Sequence, residues 1–259
     1  MISEPVQPRE SLLIKPLSEE DLNRIHASAL EILERVGVKI RHKAGLSLLK
    51  ERGAAVDQEG EIVHIPSHLV EEALKSAPKQ VSLRGRDKKN SLSLSGCRVH
   101  LSNECAAFIT DLEGRYREPG KKDTEDFVRL ADALENVHIV NRPGARDVPE
   151  EFMDVYEFEA IVKNTTKPFF MDMYHGPETV RRLVEMSKIT LGEDLAEDQH
   201  LFWSGACSSS PLVYDELAAG TIIEMAKYGV PTSSPVSLIW AELVLLPWPG
   251  PSHYLLQRF

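Results

Sequence analysis

Cys97, His100 and Cys105 are the densest set of metal-ligating side chains in the sequence, so a metal site is the first chemistry to test. A tetrahedral zinc centre takes four ligands, paired at tighter spacing than this. The three residues also fall in a stretch that reads as strand, where alternation puts Cys97 and Cys105 on one face and His100 on the other. That geometry does not gather them around one ion. Cys207 is the remaining cysteine, and an odd, sparse count argues against a disulfide framework. The sequence carries no GxGxxG phosphate loop, no HExxH helix and no nucleophile elbow.

Polar and aromatic residues instead cluster at the ends of short apolar runs in the second half. Arg142 follows the run His138–Val140, and Asp172 and Tyr174 close the run that begins at Pro168. Trp203 lies inside Leu201–Ala206, with Cys207 and Ser208 just after it. Asn103 and Glu104 sit in an earlier strand-rich stretch. Each has an ordinary structural role open to it: a packed layer or loop anchor for Asp172 and Tyr174, core for Trp203, a salt bridge for Arg142.

The elements that must position these residues change character along the chain. Ser18 caps a helix to Val36, with Asp21 as capping-box partner and Leu22, Ile25, Ala29, Ile32 and Leu33 on one stripe. Gly37 ends it. A second helix is expected over Arg41–Arg52, a strand over Glu61–Ile65 and a third helix over Ser67–Ser76, stopped by Ala77-Pro78. Residues 81–111 read as short strands in a small antiparallel sheet or meander. From about Asp123 helices alternate with apolar runs: helices over Lys122–Leu134, Glu150–Asn164, Pro177–Thr190 and Tyr214–Tyr228, strands at His138–Val140, Pro168–Met173, Leu201–Ala206 and Pro231–Val236.

That alternation predicts a parallel sheet with helical crossovers. The expected fold class is α/β, a TIM-type (β/α) barrel of which about the first half is present, preceded by an α+β N-terminal region. The corresponding division is 1–122 for the α+β region, 123–240 for the half barrel and 241–259 for a divergent tail. In a barrel the active site lies at the C-terminal ends of the strands, which selects the residues above.

Composition narrows the partners. The net charge is −10, from 30 basic and 40 acidic residues, which argues against nucleic acid. It suits a cationic ligand, although acidic surface serves solubility as well. Hydrophobic residues make up 42% and charged residues 27%, as in soluble globular proteins. No apolar run has membrane-spanning length, and Met1–Arg9 lacks the apolar core of a secretory signal. The expected location is cytoplasmic.

Several segments in order resemble the trimethylamine methyltransferase family. One is Val63-His64-Ile65-Pro66-Ser67-His68-Leu69-Val70-Glu71-Glu72-Ala73-Leu74, followed by Ala77-Pro78 and Arg86-Asp87. Others are Phe108-Ile109-Thr110-Asp111 with Gly114 and Arg117, and Leu130-Ala131-Asp132-Ala133-Leu134-Glu135-Asn136. Asn164-Thr165-Thr166-Lys167-Pro168 and Ser210-Pro211-Leu212-Val213-Tyr214-Asp215 complete the pattern. Family members are about twice this length, so the resemblance covers an N-terminal half.

The resemblance implies a barrel enzyme that moves a methyl group from trimethylamine or a betaine-type quaternary amine to a corrinoid (cobalamin). The cofactor rides on a cognate corrinoid protein and is not bound by the chain directly. It further implies a homo-oligomer at full length and a role in methanogenesis or related one-carbon metabolism. Under it, Asp172, Tyr174, Trp203 and Ser208 become substrate-binding candidates for a methylated cation, and Arg142 for a substrate carboxylate. The competing classes are a non-catalytic binding protein and an inactive fragment of the same family.

After Pro235 the resemblance stops. The family continues with a segment like Gly-Thr-Gly-Pro-Ala-Thr-Leu-Ala-Gly, and suitable codons for the stretch from Ala241 to Ser252 spell that segment in a shifted frame. The expectation is that residues 241–259 are out of frame.

Overall fold

The computed structural model describes residues 16–78, 80–94, 99–103, 105–192 and 200–233. Cys97, Glu104 and the tail from Ala241 lie outside the described residues.

Helix α1 (Glu19–Glu31) starts at the expected capping box. The Asp21 N–H donates to Ser18 Oγ and the Ser18 N–H donates to Asp21 Oδ2, both at 3.1 Å. A π-helical turn, Ile32–Val36, continues it and stops at Gly37, whose φ is 81°. A side chain there would be strained by that φ, and its Cβ would lie 2.8 Å from the Val63 carbonyl oxygen.

The chain then enters strand β1 (Val38–Ile40), which sequence pattern does not reveal. The next helix, α2 (Lys43–Glu51), begins later than Arg41 because His42 is its cap: His42 Nδ1 accepts the Gly45 N–H at 3.0 Å. Strands β2 (Ala55–Asp57) and β3 (Ile62–His64) and helix α3 (Ser67–Ser76) complete the layer. Val38, Ile40, Leu46, Ala54 and Val63 form a small core there.

The expected meander over 81–111 divides into two separate ladders. One pairs β4 (Val81–Leu83) with β5 (Leu92–Leu94), and the other pairs β6 (Ile109–Thr110) with β7 (Tyr116–Arg117). Each closes on its own turn chemistry. The Asp87 carboxylate accepts the Lys89 N–H, and Asp111 accepts those of Glu113 and Arg115. Residues 99–101 form no strand, and Ser102 makes a single parallel bridge to Ile139.

The second region runs α4 (Lys121–Ala133), α5 (Met153–Asn164), β8 (Phe169–Phe170), α6 (Pro177–Leu191), β9 (Phe202–Gly205), β10 (Val213–Tyr214), α7 (Glu216–Tyr228) and β11 (Thr232–Ser233). A 3-10 turn, Glu150–Phe152, leads into α5. Strands β8, β9 and β11 are parallel neighbours in chain order, and Val140 adds a parallel bridge to Phe169 on the far side. The expected strand over His138–Val140 is therefore reduced to single bridges. This is α/β architecture with four successive parallel segments, Ser102 bridging the first of them at Ile139, and with no closed barrel among the described residues.

Alternation sorts the strand residues. Phe169, Met171 and Phe202 face the helices and share a core with Val128, Phe158, Ile161, Leu183 and Val184. The Phe158 ring meets Phe169 and Phe202 edge-on, at 5.4 and 6.2 Å between centroids. Phe170, Asp172, Trp203 and Gly205 take the opposite face.

Two features fix this face in place. The buried Lys167 donates from Nζ to the carbonyls of Ala131 and Leu134, capping the end of α4 just before β8. Strand β10 leaves the loop after β9 and pairs in parallel with β1, at Lys39–Val213 and Ile40–Tyr214, which ties the N-terminal sheet to the second region. No helix of the described residues is long and apolar enough to cross a membrane.

Candidate functional site

Arg142 is the centre of the polar network at the strand ends. Its side chain is 1% exposed. Nη2 and Nε donate to Glu157 Oε2 at 2.6 and 3.0 Å. Nη1 lies 3.0 Å from Asp172 Oδ2, and Nη2 is 3.4 Å from the Tyr174 hydroxyl. Tyr174 in turn lies 3.4 Å from Asp172 Oδ2. The network joins the segment after Val140, helix α5 and the residues after β8.

The N-terminal part of the chain helps aim it. Asn103 Nδ2 donates to the Asn141 carbonyl at 2.7 Å, and the Asn141 N–H donates back to Asn103 Oδ1 at 2.8 Å. The Asn141 side-chain oxygen then accepts the Arg142 N–H at 3.0 Å.

Glu157 is fully buried. Its oxygens accept the two Arg142 N–H groups and, on the other side, the Ala145 N–H at 3.1 Å. Burial pushes its carboxyl above the usual range, and the Arg142 charge and N–H bonds oppose that. With three N–H donors on its two oxygens, the carboxylate is the form the site accommodates. Burial works against the Arg142 charge, but Glu157 and then Asp172 outweigh it and keep the guanidinium protonated. Burial also raises the Tyr174 hydroxyl, which stays a protonated donor.

Asp172 is the partner that solvent reaches, at 39% exposure against 0% for Glu157. Beside it on the same face, Phe170 and Trp203 are in register and their rings meet edge-to-face, 4.8 Å between centroids. Trp203 Nε1 is buried and has no hydrogen-bond partner among the described residues. Gly205 lines a cavity of about 160 Å³ with Met173, Ala206, Cys207 and the start of α7. Burial, then the charge of Asp172, pushes the Cys207 thiol up.

The structure thus brings Arg142, Asp172 and Tyr174 together, with Trp203 on the adjoining strand face. Ser208 lies one residue beyond the cavity lining and outside this network. Arg142 is enclosed by its own carboxylates, in the ordinary ion-pair arrangement. Glu157 is the residue that pattern reading passes over. A signal for it exists: Asp154, Glu157, Phe158 and Ile161 lie on one helical stripe, and all are buried. Acidic residues on an apolar stripe require partners. Among the described residues, no group of three His, Cys, Asp or Glu side chains is placed to hold a metal ion.

Helix-covered parallel strands followed by charged side chains define the class: an α/β protein. The family description Trimethylamine methyltransferase (MTTB) matches residues 3–240, and the chain belongs to that family. It is 34% identical over 90% of its length to Trimethylamine methyltransferase MttB of Desulfitobacterium hafniense strain DSM 10664 / DCB-2, covering 48% of that protein. It is 30% identical over 91% of its length to Glycine betaine methyltransferase of Desulfitobacterium hafniense strain Y51, again covering 48%. Trimethylamine methyltransferase MttB of Methanosarcina barkeri strain Fusaro / DSM 804 is 31% identical over 83% of the chain. The chain spans about half the length of these relatives.

Proposed function

We propose that the chain forms the substrate-holding part of a methyltransferase that passes a methyl group from a methylated ammonium compound to a corrinoid carried by a partner protein. The observation that supports this most is Asp172. It is a carboxylate fixed from behind by Arg142 and left half-open in front, next to the aromatic faces of Phe170 and Trp203. A quaternary nitrogen offers no N–H, so charge and π faces are what hold it.

In the transfer, the nucleophile attacks a methyl carbon and the C–N bond breaks. The electron pair stays on nitrogen, which leaves as a neutral amine with one methyl fewer. The reduced cobalt of the corrinoid supplies the nucleophile when the partner is docked. The chain's open strand ends suit such a bulky co-substrate, because Asp172 and Cys207 reach the surface and Gly205 adds no side chain. The cation loses its charge as the bond breaks, so Asp172 stabilises the bound substrate more than the transition state. Its role is to bind and orient, one methyl pointing outward. The strands that would close a barrel belong, in this proposal, to the half of the relatives' length that this chain does not span.

The test is a calorimetric titration of the chain with tetramethylammonium and trimethylammonium. Saturable binding is expected, weakened roughly tenfold or more in Asp172→Asn. Absence of saturable binding, or an Asp172→Asn variant that binds as well as the parent, overturns the proposal.

A further inference from the structure

Arg142 is one positive charge between two carboxylates. Glu157 takes the shorter, two-N–H contact, and Asp172 takes the single contact at 3.0 Å. The trio by itself carries one surplus negative charge, with Arg146 next to it near Gly144, and of the two carboxylates only Asp172 can present that charge, because Glu157 is sealed off from solvent. From this arrangement, and resting on the reading of Asp172 as a cation site, we propose that Glu157 is a positioning residue that sets the charge selectivity of the site without touching the ligand.

With Glu157 present, Arg142 is already neutralised from behind, and it holds Asp172 in place without cancelling it. With Glu157 uncharged, Arg142 and Asp172 balance each other and the face becomes neutral. The same charge balance bears on substrate class. Arg142 is fully engaged, so it offers no anchor to a ligand carboxylate, and the surplus charge repels one. The site as built favours a plain methylated ammonium over a zwitterion that carries a carboxylate near its nitrogen.

The experiment titrates the chain and its variants with tetramethylammonium and with glycine betaine, and takes the ratio of the two affinities. The parent is expected to prefer the plain cation by roughly tenfold. Glu157→Gln should lower cation affinity by about that factor and leave or raise zwitterion affinity, so the ratio collapses. A purely structural loss would weaken both ligands together.

The double variant Arg142→Met with Glu157→Gln removes the buried pair and restores the surplus charge on Asp172. It should regain the preference for the cation, and it decides the matter by itself if the single variant does not fold. A ratio unchanged in Glu157→Gln, or a double variant without cation preference, overturns the proposal. Asp172→Asn separates the two levels. If it has no effect, the cation site itself is wrong. If it abolishes cation binding while Glu157→Gln leaves the ratio unchanged, only the role of Glu157 is wrong.

Discussion

The N-terminal layer and the parallel-strand region solve the burial problem differently. Helices α1 and α3 of the first layer contain no buried residue, and Ile25, Leu48 and Leu74 stand about half exposed. Helix α5 of the second buries Met153, Asp154, Glu157, Phe158, Ala160 and Ile161. The second region therefore has its own core, and its polar site is cut into that core. The first is a thin layer held by a small core and by β10, a strand lent from the loop after β9. A charge network that must keep its geometry belongs in the rigid region, and that is where Arg142 and Glu157 sit.

The largest test of this contrast is a pair of truncations. Phe158→Ala, at a fully buried ring packed on Phe169 and Phe202, should cost about 3–5 kcal/mol. Leu74→Ala, at a side chain 54% exposed, should cost less than about 1 kcal/mol. Urea midpoints measure both, and similar losses would erase the contrast. Gly176 comes next. Its φ is 61°, and an added Cβ would lie 2.6 Å from Leu217 Cδ1, where the loop after β8 meets α7. Gly176→Ala should cost about 1–3 kcal/mol by the same assay.

Asp215→Ala sharpens the contrast at the junction. Asp215 caps α7 by accepting the Ala218 N–H at 2.7 Å, directly after β10, and its loss should cost about 1 kcal/mol. The amides of Lys39 and Arg41 donate to Leu212 and Tyr214, so they should exchange with deuterium sooner in the variant, while that of Met171, bonded to Trp203, should hold. Equal acceleration at all three would show that the layers open together.

The smallest effect is acid sensitivity. Hydrogen bonds from Lys121 and Lys163 hold the Glu159 carboxyl down at about 2, from an ordinary value of 4.5. A depressed folded-state pKa contributes stability that is full above about 4.5 and lost as pH falls toward 2. Glu159 is a third exposed, so solvent screening keeps this below about 1 kcal/mol. Glu159→Gln should flatten the stability–pH curve in that window, and an unchanged curve would remove Glu159 from the account.

Helices were the legible part of this fold, because their signals are local. The Ser18–Asp21 capping box, the Ser67–Ser76 segment and Gly37 at the end of the first helical stretch all stand where the residues imply. Strands were less so. Strand β1 pairs with the nearby β3 and with β10 far along the chain, and no local pattern encodes the second partner. The short ladders depend on Asx turns that close each pair separately, so a continuous meander was the wrong inference. The strand-end rule named Arg142, Asp172 and Tyr174, which the structure brings into one network. It could not find Glu157, which arrives from a helix interior, and it selected Ser208, which the loop carries past the network.

Asp172 and the aromatic face beside it are proposed to receive a methylated cation. The most direct measurement is the indole N–H resonance of Trp203, assigned by its loss in Trp203→Phe, during a titration with tetramethylammonium. A saturable shift of that resonance is expected in the parent chain and none in Asp172→Asn. A resonance that stays fixed in the parent, or that shifts equally in both proteins, would contradict it.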